Sequence, residues 1–329
     1  MKRFIFVPAV LFLLSGCAQK MQVRVLQPAE VASASKVKKI AVAEFKNDRV
    51  NLSSKIEAKL FEYKLDDKPY FNVVSRQDLD KVLEEQKMQN SGIFDPSTVV
   101  EVGNLTGADA IIAGDVSSPS HEDTNFFETR TKCDKEKCWE IKVGCLKRVF
   151  SLTSEVRLID AKKGDVIFAD TVTKNSSYKH CSDDSNALFS QNMAAQVLAE
   201  EIADSFVYKL LPHYAYFSVE LLDEGDIEYS DAQKKLLKSA LLYIEQNRLD
   251  KAESLLLELI DSTAQKSYVP IYDLGVIKEA QGKLQEAKEL YYKADSITKE
   301  PVRELNDAIN RINKVIEQNT QALNQINNR

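Results

Sequence analysis

From Lys36 onward the chain alternates between short, nearly continuous apolar runs and longer stretches with helical spacing. The run Lys36-Val37-Lys38-Lys39-Ile40-Ala41-Val42-Ala43-Glu44-Phe45 reads as a strand whose apolar end is buried on both faces. Leu52, Ile56, Leu60 and Tyr63 recur at helical intervals and predict a helix over 52–63. A second strand is expected over 70–74, then an amphipathic helix over 77–88 with Leu79, Val82, Leu83 and Gln86 on one face. Asp95-Pro96 is a start signal for a helix over 98–105, Gly103 and Gly107 punctuate its end, and 108–116 is a third apolar strand. Strands alternating with helices imply an α/β layer.

After Pro119 the texture changes, and 122–149 is polar and charged. Over 153–158, Ser154, Val156 and Leu158 face one way and Thr153, Glu155 and Arg157 the other. Asp160-Ala161-Lys162-Lys163-Gly164-Asp165 reads as a hairpin turn, with 166–173 as its return strand. A long helix over 186–211 carries Ala194, Val197, Leu198, Ile202, Phe206 and Leu210. An edge strand over 214–221 follows, and Asp223-Glu224-Gly225-Asp226 closes the domain.

From about Ser230 the spacing is helical to the end, and a repeat emerges. Asn247-Arg248-Leu249-Asp250-Lys251-Ala252 aligns with Gly282-Lys283-Leu284-Gln285-Glu286-Ala287 at an offset of about 35 residues. Leu274, Gly275, Ala287, Tyr291 and Ala294 of the second copy match Ser239, Ala240, Ala252, Leu256 and Leu259 of the first. The pattern resembles tetratricopeptide repeats, in which small residues sit where antiparallel helices cross. Two repeats need a cap, and the helix after Pro301 can supply one. Its Val302, Leu305, Ile309, Ile312, Ile316, Asn319, Leu323 and Ile326 also follow a coiled-coil spacing. Ala308, Val315 and Ala322 widen that stripe, which favours packing on the repeats over an oligomerising coil.

The first residues speak to compartment. Lys2 and Arg3 precede a short apolar run, 4–14, too brief to span a bilayer as a helix. It ends in Leu14-Ser15-Gly16-Cys17, which resembles the lipobox of bacterial lipoproteins, where cleavage leaves an acylated N-terminal cysteine. Acyl chains at about 0.8 kcal/mol per buried CH₂ make a firm anchor when more than one is present. Ala18 and Gln19 follow with no Asp, which by resemblance to lipoprotein sorting favours the outer membrane, facing the periplasm. Pro28 and the Gln, Ser and Ala content of 17–35 suggest an extended tether.

The net charge of −6 argues against nucleic acid, whose phosphates need a basic surface. Five cysteines include the anchor; the remaining four are an even number in an exported chain, so disulfides are the default. Closing Cys133 to Cys138 would staple a tight charged turn, and Cys145 would then pair with Cys181. The alternative, a metal site using these thiols and His180, has poor zinc spacing, so no metal or cofactor is expected. His121, His180 and His213 are scattered, and no G-x-S-x-G, P-loop, H-E-x-x-H or G-x-G-x-x-G occurs. A non-enzymatic role follows.

Phe71-Asn72-Val73-Val74-Ser75-Arg76-Gln77-Asp78-Leu79-Asp80-Lys81-Val82-Leu83 and its continuation to Gln89, then Ser91-Gly92-Ile93-Phe94-Asp95-Pro96, resemble the curli assembly/transport (CsgG-like) family of outer-membrane lipoproteins. So do Gly107-Ala108-Asp109-Ala110-Ile111-Ile112-Ala113-Gly114-Asp115-Val116 and the strand pair around Val156 and Val166. The resemblance implies a CsgG-like α/β domain over 36–225, after a signal peptide (1–16) and tether (17–35), with the tetratricopeptide-like all-α domain over 230–329. It also implies a lipid-anchored periplasmic scaffold or assembly factor that binds other envelope proteins and is able to homo-oligomerise. The alternative is a secretion-channel subunit. Channel members give amphipathic hairpins to a barrel, whereas 122–149 here lacks an unbroken apolar stripe. On the helical repeats, Tyr272, Lys278, Tyr291 and Tyr292 are the expected partner-binding residues.

Overall fold

A computed structural model describes residues 19–85, 96–135 and 137–328. The lipobox with Cys17, the last turn expected of the 77–88 helix, and the motif 91–95 lie outside the described residues. The chain divides into two compact units: residues 28–213 with 321–328, and residues 19–27 with 214–320. Among the described residues, no helix is long and apolar enough to cross a membrane.

The first unit is built on a six-stranded mixed sheet. Strand β2 (Lys39–Val42) lies between the parallel strands β5 (Asn72–Val73) and β6 (Ala110–Val116). A small hairpin, β3 (Lys64–Leu65) with β4 (Lys68–Pro69), precedes β5. Strand β8 (Lys137–Asp160) then pairs antiparallel with β6, and β7 (Ser120–Asp134) and β9 (Val166–Cys181) each pair antiparallel with β8. Helices cover both faces. Ala41, Ala43, Ile111, Ala113 and Ile159 pack with Leu79 of α2 (Arg76–Glu85) and with Val99 and Val102 of α3 (Pro96–Thr106). Strand alternation sends Ile40, Val42, Ile112 and Leu158 to the other face, where α1 (Leu52–Glu62) and α4 (Gln191–Lys209) pack together. Ion pairs from Lys55 and Lys59 to Glu200 and from Lys59 to Asp204 line that helix pair. The buried set Ser154, Val156 and Leu158 matches the alternation in the sequence.

The second unit contains α5 (Asp231–Glu245), α6 (Leu249–Ser262), α7 (Val269–Ala280), α8 (Leu284–Ile297) and most of α9 (Arg303–Asn327). Antiparallel pairs α5–α6 and α7–α8 reproduce the repeat, and Gly282 takes a left-handed φ of 75° at the turn between α7 and α8. A Cβ on Gly275 would come within 2.6 Å of the Tyr291 ring, so this helix crossing admits only glycine. Ser230 and Gln233 form a reciprocal capping box that starts α5.

From Lys20 to Lys36 the expected extended tether gives way to ordered structure. Residues 20–27 form strand β1 (Lys20–Gln27), paired with β10 (His213–Glu220), and a 3₁₀ turn spans Ala32–Lys36. Met21, Val23 and Val25 enter the core of the helical unit beside Leu259, Ile271 and Leu274. Burying three alternating apolar side chains outweighs the freedom of a spacer. The expected boundaries move accordingly: 20–27 and 214–220 join the helices, and 321–328 joins the sheet unit.

Candidate functional site

Strands β7, β8 and β9 extend beyond β6 as a three-stranded ribbon. β6 pairs only with Ser154–Asp160 of β8, whereas β7 follows β8 to the tip, Asp134 opposite Lys137. Within it both cysteine pairs sit directly opposite each other in register. Cys133–Cys138 closes the tip with Cα atoms 4.1 Å apart, and Cys145–Cys181 ties β8 to the end of β9 at 4.0 Å. The first bridge is exposed; the second is buried with Val143, under Phe126 and Ile141. These are the pairings expected from the sequence.

Among the described residues, the four thiols of the metal alternative are taken up in disulfides. Among the described residues, the grouping of metal-type donors is Glu128 with Cys145 and Cys181, and its sulfurs form the disulfide.

Charge pairs brace the ribbon. Arg148 donates to Asp123 at 2.6 and 2.5 Å and holds that carboxyl below its usual range. Lys179 and Arg130 grip Glu128, and Lys179, the stronger influence, lowers its pKa. Arg130 also reaches Asp183 and Asp184, the latter lowered first by the Cys181 backbone N–H and then by Arg130. Lys132, Lys135, Lys137 and Lys142 carry no ion pair among the described residues, so the tip presents free cations. Phe127, 76 % exposed, lies across from Gly144, and the single tryptophan, Trp139, stands 46 % exposed opposite Lys132. No described strand pairs with the outer edge of β7 or of β9, so both offer backbone groups for strand addition.

The four partner-binding residues expected on the repeats fare differently. Every residue from Val269 to Glu279 of α7 is buried, Tyr272 and Lys278 among them. The Tyr272 hydroxyl donates to the Glu220 carbonyl, and Lys278 is held by Glu253 at 2.7 Å and Glu286 at 3.1 Å. Tyr291 is fully buried and donates to Glu279 at 2.6 Å. Tyr292 alone is open, 46 % exposed, with Lys288 over its ring. No groove joins the four, because the face they were to line is filled by β1, β10 and α9.

The sequence reading also missed a buried charge cluster. Glu279, with no exposure, accepts two 3.0 Å hydrogen bonds from Arg311, whose guanidinium sits 5.8 Å from both the Tyr291 and Phe217 rings. Burial opposes the Arg311 charge, but Glu279 outweighs it and holds the pKa above the ordinary value. Asp273, also fully buried, accepts from Leu222 N–H through one oxygen and leaves the other without a partner. A charged residue inside an otherwise apolar helix was the available signal for both.

The ribbon-bearing sheet flanked by helices is the region that comparison with known proteins recognises. The family described as curli production assembly/transport component CsgG matches residues 14–198. The chain belongs to the CsgG family. That match covers the sheet unit up to α4 and confirms the α/β class, followed by a helical C-terminal region. Among solved structures, this CsgG-family chain is similar to lipoprotein GNA1162 from Neisseria meningitidis, at 15% identity over 51% of this chain and 97% of that one, TM-score 0.28. It is also similar to E. coli LpoB, at 10% identity over 54% and 82%, TM-score 0.27. A third likeness is to a PelC dodecamer from Paraburkholderia phytofirmans, at 13% identity over 58% and 98%, TM-score 0.21. No curated protein matches the chain.

Proposed function

We propose that this protein is a non-enzymatic assembly factor of the bacterial envelope, anchored to the outer membrane through acylated Cys17 and facing the periplasm. Membership of the CsgG family carries the reading, and the lipobox Leu14-Ser15-Gly16-Cys17 supports the anchor independently. The disulfide-braced ribbon is the docking element. Its free edges suit strand addition by an envelope protein or by a second copy, and it exposes Phe127 along β7 and, nearer the tip, Trp139 opposite Lys132.

A channel subunit is the competing reading. Strands of this length exceed the roughly 9–11 residues a barrel strand needs. However, Glu128, Arg130 and Lys132 occupy one ribbon face and Glu140 and Lys142 the other. A lipid-facing Lys or Arg costs about 2–4 kcal/mol at the midplane, so neither face suits lipid.

A photo-crosslinking residue at Phe127 in intact cells tests the docking role, with Cys17→Ser as the comparison. The expected result is a discrete adduct to an envelope protein or second copy that weakens when Cys17→Ser releases the chain from the membrane fraction. No adduct from Phe127, or single-channel conductance by the purified protein, would sink the scaffold reading.

A further inference from the structure

We propose that the helical unit lies directly against the phospholipid headgroups, through the surface around Gln19 and the α5–α6 turn. The inference rests on the acylated Cys17 of the proposed function and on where ordered structure begins. Gln19 is already fixed: its carbonyl accepts from Leu221 N–H at 2.8 Å, and its side-chain amide donates to the Leu241 carbonyl at 2.8 Å. Strand β1 starts at the next residue, and its Met21, Val23 and Val25 are locked into the helical core. The N-terminal strand cannot pay out chain without unzipping that core.

Only Ala18 separates the lipidated residue from Gln19. Two extended residues span about 7 Å. Bilayer thickness is about 30 Å for hydrocarbon and about 40–45 Å with headgroups, leaving some 5–8 Å of headgroup layer per leaflet. A thioether at the boundary of the acyl chains therefore leaves Gln19 no higher than the outer edge of the headgroups. The surface surrounding it is an open hollow lined by Lys20, Gln22, Ile244, Glu245 and Asn247. Leu242, next in sequence to the Leu241 whose carbonyl accepts from Gln19, is an apolar side chain left 47 % exposed. Glu245 is the one acidic member of that lining and Lys20 its cation, so charge does not push the surface off the lipid.

The test uses the full-length acylated protein in phosphatidylcholine vesicles with spin-labelled headgroups. In a Trp139→Phe background, Leu242→Trp supplies the chain's single tryptophan. Tyr292→Trp, on α8 and outside the hollow, is the comparison. Quenching at Leu242→Trp is expected to exceed that at Tyr292→Trp by at least about twofold. A 20-residue Gly/Ser spacer between Ala18 and Gln19, with a root-mean-square span of about 25 Å, should erase the difference. The mass of the N-terminal peptide reports acylation separately. Acylated protein with equal quenching at both positions overturns this proposal and leaves the lipid anchor standing. Undiminished quenching with the spacer overturns it too, since the surface would then hold lipid by its own affinity. Loss of acylation removes both readings.

Discussion

The buried Glu279–Arg311 pair makes the sharpest prediction about what holds α9 to the repeats. Glu279→Ala strands a guanidinium whose side chain is only 22 % exposed, between two aromatic rings, and strips the Tyr291 hydroxyl of its acceptor. Removing one member of a buried pair typically costs about 3–5 kcal/mol. The partial exposure of Arg311 lets water recover some of that, so the lower end, about 3 kcal/mol, is expected. At about 4 °C per kcal/mol for a unit of this size, the melting transition of the helical unit should drop by about 12 °C. Glu279→Met with Arg311→Leu removes both charges and leaves mainly the Tyr291 hydroxyl unsatisfied, a loss of about 1–2 kcal/mol. Calorimetry and urea unfolding of the full chain measure both. A single-variant loss below about 1 kcal/mol, or a double variant as unstable as the single, would refute the reasoning.

Three further outcomes follow from the packing. Gly275→Ala drives a methyl to 2.6 Å from the fully buried Tyr291 ring and should cost about 2 kcal/mol in urea unfolding; an unchanged midpoint contradicts the crossing geometry. Under mild dithiothreitol, alkylation and peptide mass should show the exposed Cys133–Cys138 bridge opening first, while Cys145–Cys181 persists until the unit unfolds. Loss of the latter by paired alanines should cost about 3–4 kcal/mol in the loop-entropy picture, against about 2 for the tip; equal reduction rates would be the contrary result. Burial, with the Asp223 charge adding to it, pushes the Asp273 carboxyl well above its ordinary 3.8, despite the Leu222 N–H. Its stabilising contribution is therefore full below about pH 4 and is lost as pH rises through the elevated value. Asp273→Asn keeps the acceptor for Leu222, so it should raise stability at pH 7 and flatten the slope between pH 4 and 7. A slope as steep as in the parent protein would count against it.

Much of the architecture was legible because it rests on local periodicity. The apolar run at Ile40–Val42, the helical spacing of Leu52, Ile56 and Leu60, and the alternation of Ser154, Val156 and Leu158 all reappear as buried faces. The cysteine pairs were legible from spacing and compartment. Strand β1 was not, although Met21, Val23 and Val25 alternate with Gln22 and Arg24. Its partner β10 lies nearly 200 residues away, and a reading that moves along the chain sees only polar texture after the lipobox-like motif. The repeats misled for a related reason. Tyrosines at helical spacing look like a contact face until β1 and β10 are known to occupy that side. The ribbon's 122–149 looked irregular because its charges are satisfied across strands, at Arg148–Asp123 and Lys179–Glu128, pairs that no local window contains.

Strand β8 runs without a break from the hairpin tip at Lys137 to Asp160. At about 3.3 Å per residue, the stretch beyond its β6 partner is some 50 Å of continuous backbone. It thus acts as a lever whose fulcrum is the Ser154–Asp160 ladder with β6, so a load applied at the tip reaches the parallel strands as a torque. The ladder with β6 is in unbroken register, whereas the ladder with β9 on the other side of β8 shifts at Leu158/Ile159, so mechanical strain would first open hydrogen bonds on the β9 side.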